Sequence, residues 1–346
     1  VILTPRPVLY AALAVLVAFL PAAGPVLAQP SAAARFTRLA GDVREADGHL
    51  YDARDDTGAT MDAAQIVQPP SGPYLAVYHT ALDDGRFHAA LATSTDLRTW
   101  HRRHDFGPGT SQPSLARAEG SGDEDEGGGG EDHGGGEDHG GVHSGDWVLA
   151  YEKDPDNHLE LRSYSGLAAL LAGHRAHAFD APRTLSRCSE GTPDLTSAHG
   201  TTVELTGHYR AHCDTDRQLT AVLQGFRAWH TRPDQRLDHA VRACGPRGNI
   251  GDRTRLRLAG RDLVLIEGQL RPHDFGSWRL YGYDPRLGRA EPVAVRTHRG
   301  SHAFANPSAT TIIAPDGRRA LLVSVFVPGE GAAPGEAGEL LYWRDL

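Results

Sequence analysis

Short apolar runs broken by Gly, Pro, Asn and Asp dominate the chain, and the 3.6-residue spacing of an amphipathic helix is scarce. From Met61 onward the runs fall into a repeated order. A strand of small and apolar residues comes first, then a turn, then a strongly apolar strand, then one or two more strands. The pattern predicts first strands at MDAAQIV from Met61, SQPSLAR from Ser111, EGTPDLT from Glu190, RGNIGDR from Arg247 and FANPSAT from Phe304. Second strands are predicted at YLAVYHT from Tyr74, DWVLAYE from Asp146, TTVELTGHY from Thr201, RDLVLIEGQ from Arg261 and RALLVSVFV from Arg319. Between them stand turn signals such as PPSG, HG, LAG and PDG.

Corresponding positions in successive units lie about 50–60 residues apart, close to the period of a four-stranded propeller blade. One interval, from Pro113 to Pro193, is longer because it holds a low-complexity insert. Five units predict an all-β fold, a five-bladed β-propeller of four-stranded antiparallel blades spanning residues 29–346. The segment before Asp62 (ARFTRLAG and HLYDARDD) is expected to complete the last blade beside LLYWRDL, which removes free sheet edges. A two-sheet sandwich with irregular hairpins is the alternative that the same strands allow.

Residues 1–28 read as a secretory signal peptide. Arg6 precedes the uncharged run Val8 to Leu20, Pro21, Gly24 and Pro25 break any helix, and Val26-Leu27-Ala28 offers a cleavage site after Ala28. A membrane anchor is the competing reading, but a spanning helix needs roughly 20 apolar residues and the prolines end this run early. The protein is therefore expected to be secreted and free of the membrane, as a monomer. The stretch from Glu119 to Asp146 is mostly Gly, Asp, Glu and His; it has little to bury and is expected to be a disordered loop within the second blade. His133, His139 and His143 lie near its carboxylates, but a glycine tract gives no rigid metal site, and a solvated spacer is the expectation.

That insert changes the meaning of the charge. The formal net charge is −9, and eight carboxylates of the insert, with no basic residue among them, account for nearly all of it. The remainder is close to neutral and offers no footprint for nucleic acid or anionic lipid. Three cysteines in an exported chain allow one bridge and one leftover thiol. A hairpin turning at His199-Gly200 sets Cys188 opposite Cys213, provided no bulge shifts the register; Cys213–Cys244 is the competing pair.

The passage from Asp62 to Arg102 carries a more specific signal: Asp62 opens a strand, YLAVYHT follows, and Ala92 to Trp100 reads ATSTDLRTW. It resembles the first blade of the five-bladed glycosidases, namely glycoside hydrolase families 43 and 62 and the fructan-cleaving families 32 and 68. In this resemblance the STDLxxW element is structural, with Trp100 packed between blades. The resemblance implies catalytic carboxylates projecting from the first strands of different blades into one end of the central channel. Asp62 then matches the base (the nucleophile in the fructan families) and Glu190 the general acid, since one carboxylate must be ionised and the other protonated. Ser114 stands where families 43 and 62 carry a third carboxylate; Asp194 is a candidate to compensate. The fructan families' RDP element has no clear match.

Further polar candidates for a saccharide at the channel mouth are His79, Arg247, Asn249, His302 and Asn306. Trp229, Phe275, Trp278 and Tyr281 could stack on a sugar face or pack between blades. No cofactor is required; the resemblance implies a structural calcium in the channel, with His302 as the counterpart of an axial histidine, or else as a surface residue. No GxSxG, HExxH, CxxC or P-loop motif occurs in a useful context. Two readings remain open: a secreted glycosidase acting on a polysaccharide or oligosaccharide, and a non-catalytic propeller that binds glycan or protein.

Overall fold

The computed structural model describes residues 32–119 and 141–346. A short strand, β1 (Gly48–Leu50), precedes four consecutive sheets of four strands each. Blade 1 holds β2 (Asp62–Val67), β3 (Tyr74–Ala81), β4 (Phe87–Ser94) and β5 (His101–Pro108). Blade 2 holds β6 (Thr110–Arg117), β7 (Trp147–Lys153), β8 (His158–Tyr164) and β9 (His177–Asp180). Blade 3 holds β10 (Glu190–His199), β11 (Thr202–Ala211), β12 (Thr215–Gln224) and β13 (Ala228–Pro233). Blade 4 holds β14 (Arg253–Leu258), β15 (Arg261–Gln269), β16 (Trp278–Asp284) and β17 (Arg289–Val293). Blade 5 is made of β18 (Ala305–Ile313), β19 (Arg319–Val327) and β20 (Gly338–Asp345), completed by β1 from the other end of the fold. All pairings within the blades are antiparallel, and the fold is the expected five-bladed β-propeller.

Ring closure follows the expected route through HLYDARDD, where Gly48 lies opposite Trp343. Its partner segment ARFTRLAG differs from expectation. It forms the helix α1 (Ala32–Gly41), whose Phe36 is fully buried among core residues of blades 4 and 5. Two shorter helices, α2 (Leu167–Ala172) and α3 (Gln235–Ala243), lie in connections within blade 2 and between blades 3 and 4. The fourth inner strand also begins later than the sequence suggests, at Arg253. Residues 247–252 run in as a loop, held by backbone bonds between Arg247 N–H and Gln269 C=O and between Gln269 N–H and Asn249 C=O.

Each blade buries its apolar runs against its neighbours. Trp100, 1% exposed, packs with Met61, Leu322 and Trp343 where blades 1 and 5 meet. Burying a side chain of this size contributes on the order of 2–3 kcal/mol. The turn that delivers Trp100 is fixed by Asp96, whose carboxylate accepts the Arg98 and Thr99 N–H groups at 2.8 and 2.7 Å.

The expected leader, residues 1–28, and residues 120–140 of the insert lie outside the described residues. The insert's C-terminal flank is more regular than expected: Val142 pairs with Gly200 at the tip of the β10–β11 hairpin and is buried. The Cys188–Cys213 bridge forms, and Cys244 is free. The register behind it is not the simple one. Shifts after Gly191 and Leu195 set Glu190 opposite Tyr209, and the turn through His212 and Cys213, both at positive φ, carries Cys213 back to Cys188.

Candidate functional site at the channel mouth

The inner strands begin with a bulge. Ala63, Gln112, Thr192 and Asn306 all have φ between 42° and 55°, and each sits at a register shift against the second strand. A left-handed non-glycine residue is costly and leaves its N–H outside the ladder. A side chain of the preceding blade takes up each of these N–H groups. Gln112 N–H donates to His79 Nδ1 (3.2 Å), Thr192 to Glu152 Oε1 (2.6 Å), Asn306 to Glu267 Oε2 (2.6 Å) and Ala63 to Glu339 Oε2 (3.1 Å). At the remaining junction Gln218 donates to the carbonyls of Ile250 and Gly251 at 2.8 Å. A second ring lies deeper in the channel. There Gln65 Oε1 accepts the Leu115 N–H, Ser114 Oγ the Leu195 N–H and Asp194 Oδ2 the Arg255 N–H.

The upper ring places titratable groups around one cavity of about 330 Å³, lined by Asp62, His79, Glu152, Glu267 and Asn306 together with Gln112. Phe87 and Phe275, 47% and 58% exposed, stand at its rim, with Trp278 and Phe326 also in the wall. Burial pushes Glu152 up to about 7 against the pull of the Thr192 N–H. It pushes Glu267 up to about 8, helped by the neighbouring Asp252 charge. Asp62 is raised by burial; the Thr60 hydroxyl donates to its Oδ2 at 3.2 Å, and its buried Oδ1 has no partner among the described residues. Burial lowers His79 to about 4, so its ring is neutral near pH 7. The two glutamates differ in what their oxygens already do. Both Glu267 oxygens accept backbone N–H groups, from Asp252 and Asn306. Glu152 keeps Oε2 almost free, with only the Ser111 hydroxyl at 3.4 Å.

The expected site residues thus separate. Asp62, His79 and Asn306 come together at the cavity. Glu190 does not line it: its Oε1 accepts the N–H groups of Thr184, Leu185 and Ser186 at 2.6, 2.5 and 3.0 Å and closes the loop before β10. Ser114 and Asp194 belong to the deeper ring, at a constriction of about 20 Å³. Asn249 Oδ1 accepts the Asp216 N–H, while Arg247 and His302 are exposed and outside the cavity wall. Of the expected aromatic platform, Phe275 and Trp278 reach the cavity, whereas Trp229 packs against Phe179 and Tyr281 lies in the blade 4 core. Glu152 and Glu267 escape a search confined to first strands. Their signal is a polar residue closing an apolar second strand, seen also in His79 and His208.

A channel calcium does not fit these residues. The Arg253 guanidinium lines the constriction, donating to Thr192 C=O, to Thr192 Oγ1 (2.9 Å) and to Gly251 C=O (2.6 Å). It already supplies positive charge beside Asp194 and Asp252. Among the described residues no three His, Cys, Asp or Glu side chains are grouped to hold a metal.

Fold and site together define a five-bladed propeller with a carboxylate-lined channel mouth. Its structural neighbours are five-bladed β-propeller glycosidases. BT0996, solved as an RGII complex, matches with a TM-score of 0.55 at 13% identity, over 90% of this protein and 94% of that one. The alpha-L-arabinofuranosidase from Lactobacillus brevis matches with a TM-score of 0.52 at 6% identity, over 84% and 93%. The alpha-L-arabinanase of Penicillium chrysogenum, complexed with arabinobiose, gives 0.48 at 15% identity, over 87% and 86%. At these identities the likeness is one of fold. No protein-family model matches the sequence, and no match to it was found among curated proteins.

Proposed function

We propose that the protein is an exported glycoside hydrolase that cleaves a terminal sugar at the channel mouth. The observation that carries this reading is the convergence of Asp62 and Glu152 on one cavity, with Glu152 raised to about 7. Glu152 is the general acid: protonated near neutral pH, it gives its proton to the leaving oxygen through Oε2. Asp62 is the base, its carboxylate taking a proton from the attacking water. The Phe87 and Phe275 rings bracket the sugar, whose apolar face packs on aromatic surface. A cavity of about 330 Å³ is at the small end of ligand sites and suits one terminal unit better than the interior of a polymer. The Cys188–Cys213 bridge supports a place of work outside the reducing cytosol, and among the described residues no helix is long and apolar enough to cross a membrane.

A second reading, a non-catalytic saccharide binder, draws on one observation: Glu152 also accepts the Thr192 N–H, as a purely structural latch would. A panel of aryl glycosides and polysaccharides with product detection separates the two. The enzyme reading expects turnover that falls at least about a hundredfold in Asp62→Asn, the scale of lost general-base catalysis. Saccharide binding without turnover, or an unimpaired Asp62→Asn, would support the binder.

A further inference from the structure

We propose that the groove between blades 3 and 4 is a second binding site, distinct from the channel mouth, that takes a carboxylate-bearing saccharide. Its volume is about 650 Å³, roughly twice that of the channel-mouth cavity. The floor is apolar, with Leu205 and Ala221 from blade 3 and Val264 from blade 4. Arg232, Arg236 and Arg255 line the groove and are exposed. Among the described residues none of the three forms an ion pair. Arg232 donates to the Thr220 hydroxyl at 3.0 Å, Arg236 reaches the Arg286 carbonyl only at 3.5 Å, and the Arg255 guanidinium donates to none of the described residues.

The groove's own carboxylates are engaged elsewhere. Asp234 caps α3 through the Leu237 N–H, Asp194 accepts from the Thr254 hydroxyl and the Arg255 N–H, and Glu204 accepts from the Ser197 hydroxyl. Four arginines, Arg232, Arg236, Arg253 and Arg255, line the groove against three carboxylates, Asp194, Glu204 and Asp234, which leaves a modest positive balance. Exposed guanidinium forks bind planar carboxylates through two parallel bonds. A separate observation points to a ligand hydroxyl: Thr206 lines the groove, and among the described residues its buried Oγ1 has no hydrogen-bond partner. Apolar floor, hydroxyl and cationic rim together match a sugar chain carrying carboxylates. The saccharide part rests on the reading of the channel mouth; the anion part does not.

Calorimetry with an oligogalacturonate, a neutral oligosaccharide of equal length and sodium sulfate tests the site on the full chain. The acidic oligomer should bind, more weakly as salt rises, and the Arg232→Ala/Arg255→Ala double variant should bind at least about tenfold less tightly with an unchanged circular dichroism spectrum. Equal binding of the neutral oligomer, full displacement by sulfate at matched ionic strength, or wild-type affinity in the double variant would overturn the proposal. Glu152→Gln should keep this binding, and the double variant should keep any turnover of neutral aryl glycosides. A failure of the channel-mouth reading is therefore distinguishable from a failure of this one.

Discussion

At Glu152, burial and hydrogen bonding pull in opposite directions. Desolvation penalises its charge, the Thr192 N–H favours it, and burial wins, leaving the group at about 7. An acid works only while protonated, so its contribution is lost as pH rises through that value. Measured kcat/KM should fall above about pH 7 and fall again at low pH as Asp62, itself raised by burial, takes up a proton. A rate that stays flat through pH 9 would remove Glu152 from the role. Asp62 was legible in the sequence because it opens a strand in a recognisable blade. Glu190 looked equally suitable, yet a residue at a strand end can turn either way, and three loop N–H groups draw its carboxylate inward. Nothing in the spacing of charges reports that loop.

Among the elements, the β10–β11 hairpin shows how a correct bond can rest on an approximate register. Two shifts move the pairing at Glu190, and a turn with two positive-φ residues restores the Cys188–Cys213 approach. Bulges arise where an inner strand bends at the channel, so hydrophobic alternation alone does not locate them. The late start of β14 has the same origin. Residues 247–252 carry strand-like composition, but their backbone bonds are divided among Gln269, Glu267 and Asp216 in place of a regular ladder. The bridge closes 25 residues, which predicts that a Cys188→Ser/Cys213→Ser variant loses about 3 kcal/mol of stability in chemical denaturation. An unchanged midpoint would show that the hairpin's backbone already restricts the unfolded chain as much as the bond does.

The ring as a whole is held by side chains that pass from each blade to the next, and several of them titrate. Glu152, Asp252 and Glu267 sit at about 7, 7 and 8 in the folded chain, against about 4 for carboxylates in an unfolded one. Over that interval the folded state holds protons that the unfolded state has released, so stability falls as pH rises. His79 and His208, both lowered to about 4, act in the opposite sense, but only up to their ordinary value of 6.5. Above pH 6.5 the carboxyl groups act unopposed. The melting temperature should therefore decline between pH 6.5 and 9; a rise over that range would contradict the assignment of these groups as buried acids. The five-fold repeat was readable because each blade repeats one apolar pattern. The junctions were not, because the residue type and its strand both vary: His79, Glu152 and Glu267 come from second strands, Gln218 and Glu339 from third strands. Whether Glu152 is more than a junction is settled most directly by turnover in Glu152→Gln on two glycosides of the same sugar. The account predicts a loss of about 100-fold or more with a poor leaving group and a far smaller loss with an activated aryl leaving group, which needs little acid assistance. Equal losses on both substrates, or none on either, would contradict it.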